Sequence, residues 1–166
     1  NCRINSALGN ELEYRIKPAE RSKKVVVVGG GPAGMQAARI AALRGHEVTL
    51  YEKEGRLGGA MPLAALVKGL EIENLPALVR YFVIQLKKLG VTVKLHEEVT
   101  PGLIEKIKPD AVIVAAGGIP KVPSISGFDK ADIIKGSDLH RMVKIPLRFL
   151  SPGFLRWLTG FWMPIG

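Results

Sequence analysis

The most constraining feature of the sequence is a glycine-rich turn between an apolar strand pattern and a helix pattern. Four valines, residues 25–28, precede Gly29-x-Gly31-x-x-Gly34, and small or apolar residues then recur at helical spacing as far as Arg44. A strand, turn and helix in this order favour dinucleotide binding, because unpaired N–H groups and the positive end of the helix dipole face the phosphates. The pattern therefore predicts a βαβ unit that binds a nucleotide pyrophosphate.

Each residue of the turn has its own expected role. Gly29 allows the tight turn after the strand, Gly31 lets the backbone approach the pyrophosphate, and Gly34 lets the helix pack close to the sheet. Pro32 and Ala33 open the helix, where proline lacks only an N–H that would be unpaired in any case. The whole turn is therefore a candidate phosphate site.

A second strand is predicted at 46–51, after a helix stop at Gly45. It places Glu52 where a carboxylate accepts hydrogen bonds from an adenosine ribose. The alternative is a glycine-rich turn without any ligand. The strand, the helix and the acidic residue occur together, and this favours the nucleotide site.

The remaining elements indicate an α/β fold. A helix is predicted from about Asn74 to Leu89, and strands are predicted near 91–95 and 111–115. Strands that alternate with helices are typical of an open, mostly parallel sheet. The apolar positions of the helix recur at helical spacing and are expected in the core: Leu75, Leu78, Val79, Phe82, Val83 and Leu86.

The loop after Glu52 resembles that of the flavoproteins with two dinucleotide-binding domains, in which the first domain holds FAD. It begins at Lys53 and reaches Leu57-Gly58-Gly59. In that superfamily the paired glycines let the backbone approach FAD, with an ordinary surface turn as the alternative here. The resemblance therefore implies a Rossmann-like FAD/NAD(P)-binding fold with cofactor contacts at Gly58 and Gly59. From its position and charge, Lys53 is expected at the rim of the same site.

Two later segments extend this resemblance. The segment 110–118 contains the predicted strand and Ala115-Ala116-Gly117, which is similar to the strand ending in Ala-Thr-Gly in the same proteins, with Ala116 in place of the threonine. Val99 falls where a backbone group reaches the adenine in the superfamily. The resemblance therefore adds Val99, Ala116 and Gly117 to the cofactor-binding candidates.

The start of the chain narrows the family. Residues 1–5, Asn-Cys-Arg-Ile-Asn, followed by Pro18-Ala19, resemble the segment that joins a flavin barrel to an FAD domain in the iron–sulfur relatives of old yellow enzyme. These relatives include NADH:flavin oxidoreductases, 2,4-dienoyl-CoA reductase, 2-enoate reductase and trimethylamine dehydrogenase. Cys2 falls on the last of four cysteines that bind a [4Fe–4S] cluster. One thiolate cannot hold a cluster that needs four, so the other ligands are expected outside this chain.

The resemblance implies a fragment of a larger enzyme. Under this resemblance, residues 1–22 are expected to form an extension from a missing barrel and iron–sulfur domain, and residues 23–120 the ADP-binding half of an FAD domain. Residues 121–166 are expected to form a linker and tail toward a missing NAD(P)-binding domain. The parent protein would relay electrons between NADH or NADPH, FAD, a [4Fe–4S] cluster and FMN. No catalytic residue is expected in this chain, which is expected to be inactive alone.

Other functions remain open from the sequence. They are an ADP-only structural site as in trimethylamine dehydrogenase, a stand-alone ADP- or NAD-binding regulatory module, and an assembly subunit that docks a partner flavoprotein through its tail.

The tail, 145–166, is apolar, aromatic and interrupted by prolines and arginines. These interruptions argue against a transmembrane helix. Interfacial membrane binding would suit the tryptophans and arginines, and docking on the missing domain, which the resemblance implies, is expected in preference to it. Without that domain, we expect self-association through this surface.

The net charge of +9 is compatible with nucleic-acid binding. The basic residues are scattered, however, with few aromatic residues among them, and this argues against a nucleic-acid partner.

A cytoplasmic location is expected.

Overall fold

A computed structural model describes residues 7–62, 64 and 74–118 of the chain. The predictions made for Cys2 and for 121–166 lie outside these residues.

The first half of the described chain forms the predicted βαβ unit. Strand β1 spans Lys24–Val28, helix α1 spans Pro32–Leu43 and strand β2 spans Glu47–Glu52. Gly45 follows α1 with a φ of 89°, in the left-handed region that favours glycine. Strand β2 begins and ends one residue later than predicted, so that Glu52 belongs to the strand rather than following it.

The second half adds two helices and two strands. Helix α2 spans Leu75–Lys88, strand β3 Thr92–Leu95, helix α3 Pro101–Ile107 and strand β4 Ala111–Val114. Helix α3 has no counterpart among the sequence-based predictions, because seven residues are too few to show a helical period. The Thr100 side chain starts it by accepting the Leu103 N–H at 3.3 Å.

The four strands of the described residues are parallel and lie in the order β3-β2-β1-β4. Val25 of β1 pairs with Val48 of β2 on one side and with Ala111 of β4 on the other. The chain therefore builds outward from β1 in one direction and then crosses to the opposite side. This confirms the predicted α/β fold with an open parallel sheet. In such sheets ligands bind at the carboxyl edge where the strand order reverses, which here lies between β1 and β4.

A pair of hydrogen bonds fixes the register of β4 against β1. The Lys24 N–H donates to Oδ2 of Asp110 at 2.7 Å, and the Asp110 N–H donates to the Lys24 carbonyl at 2.9 Å. At the other end of the pair, the Ala115 N–H donates to the Val28 carbonyl at 2.8 Å. The residues that follow β4 are thereby held beside the turn that follows β1.

The main core lies between the sheet and helices α1 and α2. Met35, Leu50 and Leu86 are fully buried there, and burial of a side chain of this size stabilises the fold by about 1.5–3 kcal/mol. Phe82 is buried as predicted, whereas Val83 is 42% exposed. One residue along a helix is a rotation of about 100°, which turns Val83 away from the face that buries Phe82.

Candidate nucleotide site

Two glycines of the β1–α1 turn are required by contacts within the protein. Gly29 has a φ of 106°, and its N–H donates to the Tyr51 carbonyl at 2.8 Å. A Cβ on Gly29 would collide with the carbonyl oxygen of Ala115, and a Cβ on Gly34 would collide with the carbonyl oxygen of Gly29. The turn can therefore lie against the residue that follows β4, and α1 can lie against the turn, only because both positions lack a side chain.

Gly31 differs, because no contact with described atoms requires a glycine there. It is the N-cap of α1 with a φ of −71° and a ψ of 179°, which most residues can adopt, and a Cβ would meet nothing within 4 Å. Within the described part of the chain, the N–H groups of Gly31, Ala33 and Gly34 have no hydrogen-bond partner, and Pro32 has none to donate. The turn thus presents free donors beside open space, as an anion site requires.

Glu52 ends β2 and is buried, with 8% of the residue exposed. Its Oε2 accepts the Gly30 N–H at 2.6 Å, and its Oε1 accepts the Glu54 N–H at 2.9 Å. These bonds offset the cost of burying the charge, and each oxygen keeps capacity for a second donor. The predicted ribose ligand therefore lies beside the glycine-rich turn. Lys53, the next residue, is exposed.

The loop with paired glycines packs directly on that turn. The Gly58 N–H donates to the Gly30 carbonyl at 2.8 Å, and the Leu57 side chain fills the space where a Cβ on Gly30 would lie. Gly59 has a φ of 54°, and its Cβ position is 3.1 Å from the Gly31 Cα. The two glycine segments therefore form one continuous surface.

The segment after β4 borders the same turn from the other side. The Ala116 Cα is 3.1 Å from the position that a Cβ on Gly29 would occupy. Gly117 follows with a φ of 86°, and both residues are exposed. The small-residue turn predicted at the end of β4 therefore faces the crevice between β1 and β4.

Val99 is half-buried and lies between β3 and α3. Its segment is tied to the end of β2, since the Glu97 N–H donates to the Glu52 carbonyl at 3.1 Å and the His96 N–H donates to the Glu54 carbonyl at 3.2 Å. Val99 thus belongs to the same carboxyl edge of the sheet as the other candidates.

Two side chains that support the site were not predicted to do so. Val79 of α2 packs on the paired-glycine loop, with its Cγ2 3.2 Å from the Cβ position of Gly58. The His96 ring lies over Gly55, with Nε2 2.7 Å from the Cβ position there. Val79 could have been found as a member of the apolar face of α2. The His96 contact depends on the pairing of β3 with β2, and no local sequence signal indicates it.

The described residues contain no group of three or more side chains able to hold a metal ion. None of the helices in residues 7–62, 64 and 74–118 has the length and apolar character needed to cross a membrane.

The fold and this geometry define a Rossmann-like dinucleotide-binding domain: a parallel sheet whose crevice carries a glycine-rich turn, free helix N–H groups and a buried carboxylate. Residues 23–150 match the family described as pyridine nucleotide-disulphide oxidoreductase. The chain belongs to this family.

Individual relatives agree with this assignment. The chain is 44% identical over 130 residues to cinnamate reductase of Clostridium sporogenes, covering 78% of this chain and 19% of that protein. It is 42% identical over 134 residues to NADH oxidase of Thermoanaerobacter brockii, covering 78% and 20%. The solved structure of a 2-naphthoyl-CoA reductase complex is similar with a TM-score of 0.76 at 39% identity, covering 86% of this chain and 22% of that one.

These matches confirm the predicted resemblance to the old-yellow-enzyme-type flavoproteins and the predicted Rossmann-like fold. The chain spans about a fifth of the length of the relatives it matches.

Proposed function

We propose that the chain binds the ADP portion of FAD in the crevice between β1 and β4, as the FAD-binding part of an NAD(P)H-dependent flavin oxidoreductase. The main support for this proposal is the environment of Gly31. Its neighbours Gly29 and Gly34 are explained by protein contacts, whereas Gly31 borders open space and free N–H groups. A phosphate oxygen would fill that space and accept those hydrogen bonds.

The residues fit the parts of the nucleotide in order along the sheet edge. The N–H groups of Gly31, Ala33 and Gly34 would bind the pyrophosphate, and Glu52 would accept hydrogen bonds from the ribose hydroxyls. A backbone group of Val99 would reach the adenine.

The paired glycines 58 and 59, together with Ala116 and Gly117, would border the cofactor on its two sides, and Lys53 would add a charge at the rim. When bound, FAD supplies the electron-transfer chemistry, and the protein supplies its position and electrostatic environment.

For the whole protein, we propose that reducing equivalents pass between NADH or NADPH, FAD, a [4Fe–4S] cluster and FMN. Cys2 would be one ligand of that cluster. The similarity to cinnamate reductase and to a naphthoyl-CoA reductase supports an acceptor with unsaturation next to a carboxylate or a thioester. The parts of the protein that choose this acceptor lie outside the present chain.

A second candidate is an ADP site without a redox role, as in trimethylamine dehydrogenase. It is favoured by the position of the described contacts, because they surround the predicted sites of pyrophosphate, ribose and adenine. FAD and ADP would then compete for one site, and ADP would be the nucleotide found in the complete protein.

Calorimetric titration of this chain with FAD, ADP and NAD in parallel tests the proposal. Similar affinities for FAD and ADP with weak binding of NAD support an FAD domain that holds the ADP portion. A preference for NAD would support a regulatory nucleotide-binding module instead. Absence of binding by all three would refute the site. The nucleotide released from the denatured full-length protein then separates FAD from ADP.

A further inference from the structure

One buried residue, Glu52, joins three loops at the carboxyl edge of the sheet. The side chain of Glu52 holds the Gly30 N–H and the Glu54 N–H, and its main-chain carbonyl accepts the Glu97 N–H at 3.1 Å. A ribose contact alone would not require any of these bonds. We propose that Glu52 is a positioning residue for pyrophosphate binding, independent of any contact with the ribose. This inference rests on the proposed function of the site.

Both main-chain groups of Gly30 are hydrogen-bonded within the protein. Its N–H donates to Glu52 at 2.6 Å, and its carbonyl accepts the Gly58 N–H at 2.8 Å. The Gly30 carbonyl and the Gly31 N–H belong to one peptide unit, and no described peptide bond is cis. In a planar trans peptide these two groups point in opposite directions. Gly58 therefore directs the Gly31 N–H away from the paired-glycine loop.

Glu52 forms hydrogen bonds with both the glycine-rich turn and the loop that follows β2. Its Oε2 fixes the peptide before Gly30, and its Oε1 fixes the peptide before Glu54, at the start of the loop that leads to Gly58. The space beside Gly31 stays open because the two loops are held in one relative position. The Gly30 N–H itself is committed to Glu52 and is not among the free donors.

The charge of Glu52 and its hydrogen bonds predict opposite effects on anion binding. As a negative charge near a pyrophosphate, the carboxylate repels the ligand, so its neutralisation would strengthen binding if charge alone mattered. As the acceptor that orders two loops, it favours binding, and its loss leaves buried N–H groups without a full partner. The sign of the change on Glu52→Gln therefore separates the two effects.

The test measures the affinity of the 166-residue chain for ADP and for 2′,3′-dideoxy-ADP, which lacks the ribose hydroxyls. Glu52→Gln should weaken binding of both ligands by about tenfold, the effect of one lost hydrogen bond to a charged group. Amide hydrogen exchange without ligand should accelerate at Gly30 and Glu54. Glu47→Gln, an exposed position at the other end of β2, is the matched control and should change neither result.

A loss confined to ADP, with dideoxy-ADP binding unchanged or tighter, would show a ribose contact only and overturn the proposal. Unchanged exchange at both amides would also overturn it. Thermal melting checks that each variant is folded. If Glu52→Gln does not fold, Glu52→Asp keeps the charge but is one methylene too short to hold both amides, and the same loss is expected. Absence of ADP binding by the unmodified chain would instead refute the proposed function, and this inference with it.

Discussion

Replacement of Gly31 by alanine separates binding from folding more cleanly than any other change in the glycine-rich turn. The added methyl group meets no described atom within 4 Å, and the φ of −71° is accessible to alanine. At the N-cap glycine is preferred to alanine by roughly 0.5–1 kcal/mol. Alanine in turn reduces the entropy of the unfolded chain by about 0.4–1 kcal/mol. The free energy of unfolding should therefore change by less than about 1 kcal/mol.

Nucleotide binding should respond much more strongly. The methyl group would occupy the space in which a phosphate approaches the N–H groups of Gly31 and Ala33. Each hydrogen bond to a charged group is worth about 1.5–3 kcal/mol. Loss of two such bonds corresponds to a fall in affinity of at least about 100-fold. Gly31→Val should abolish binding altogether, because the larger side chain fills the same space.

Calorimetry with ADP and FAD measures the affinity, and thermal unfolding measures the stability. Gly102→Ala is the control, since Gly102 also lies in the first turn of a helix and its Cβ would meet nothing within 4 Å. Its nucleotide affinity should equal that of the unmodified chain. A folded Gly31→Ala variant that binds ADP within about threefold of the unmodified chain would refute the site, because less than about 1 kcal/mol would then depend on this space.

Four other changes test the fold and the tail. Gly34→Ala should lower the free energy of unfolding by about 1–3 kcal/mol, because its Cβ collides with the carbonyl of Gly29; an unchanged melting temperature would contradict this. Asn74→Ala removes the cap of α2 and should cost about 1 kcal/mol in chemical denaturation. Lys108→Gly should stabilise the chain by up to about 1 kcal/mol in the same assay, because Lys108 has a left-handed φ of 49°. Deletion of 145–166 should abolish self-association in light scattering; a monomeric unmodified chain would contradict the predicted contact.

The βαβ unit could be predicted because all its signals are local. The valines and the glycines mark a strand and a turn, and both lie where they are predicted. Glu52 marks the end of the second strand, within one residue of the predicted boundary. Helix α3 also has a local signal, because Thr100 before Pro101 is typical of a helix start. The helix is too short, however, for its apolar residues to show helical spacing. Val83 is predicted in the core because helical spacing of apolar residues identifies the buried face of a helix without fixing how wide that face is.

The contacts that hold the site together could not be predicted from the same patterns. Glu52 was expected to bind ribose, yet its bonds to Gly30 and Glu54 depend on how the following loop folds back onto the turn. The contact of His96 with Gly55 depends on the parallel pairing of β3 with β2. Such contacts join segments that become neighbours only when the strands pair. The sequence therefore identifies the residues but not which of them contact one another.

The position of β1 in the middle of the sheet has a consequence for folding kinetics. Lys24 and Asp110, which join β1 to β4, are 86 residues apart in the chain, and contacts of such separation are costly and slow to form. The crevice between these strands exists only after they pair. A nucleotide that binds there recognises the fully paired state alone and stabilises it by mass action. We therefore expect a higher nucleotide concentration to raise the fraction of newly synthesised domains in which β1 and β4 are paired.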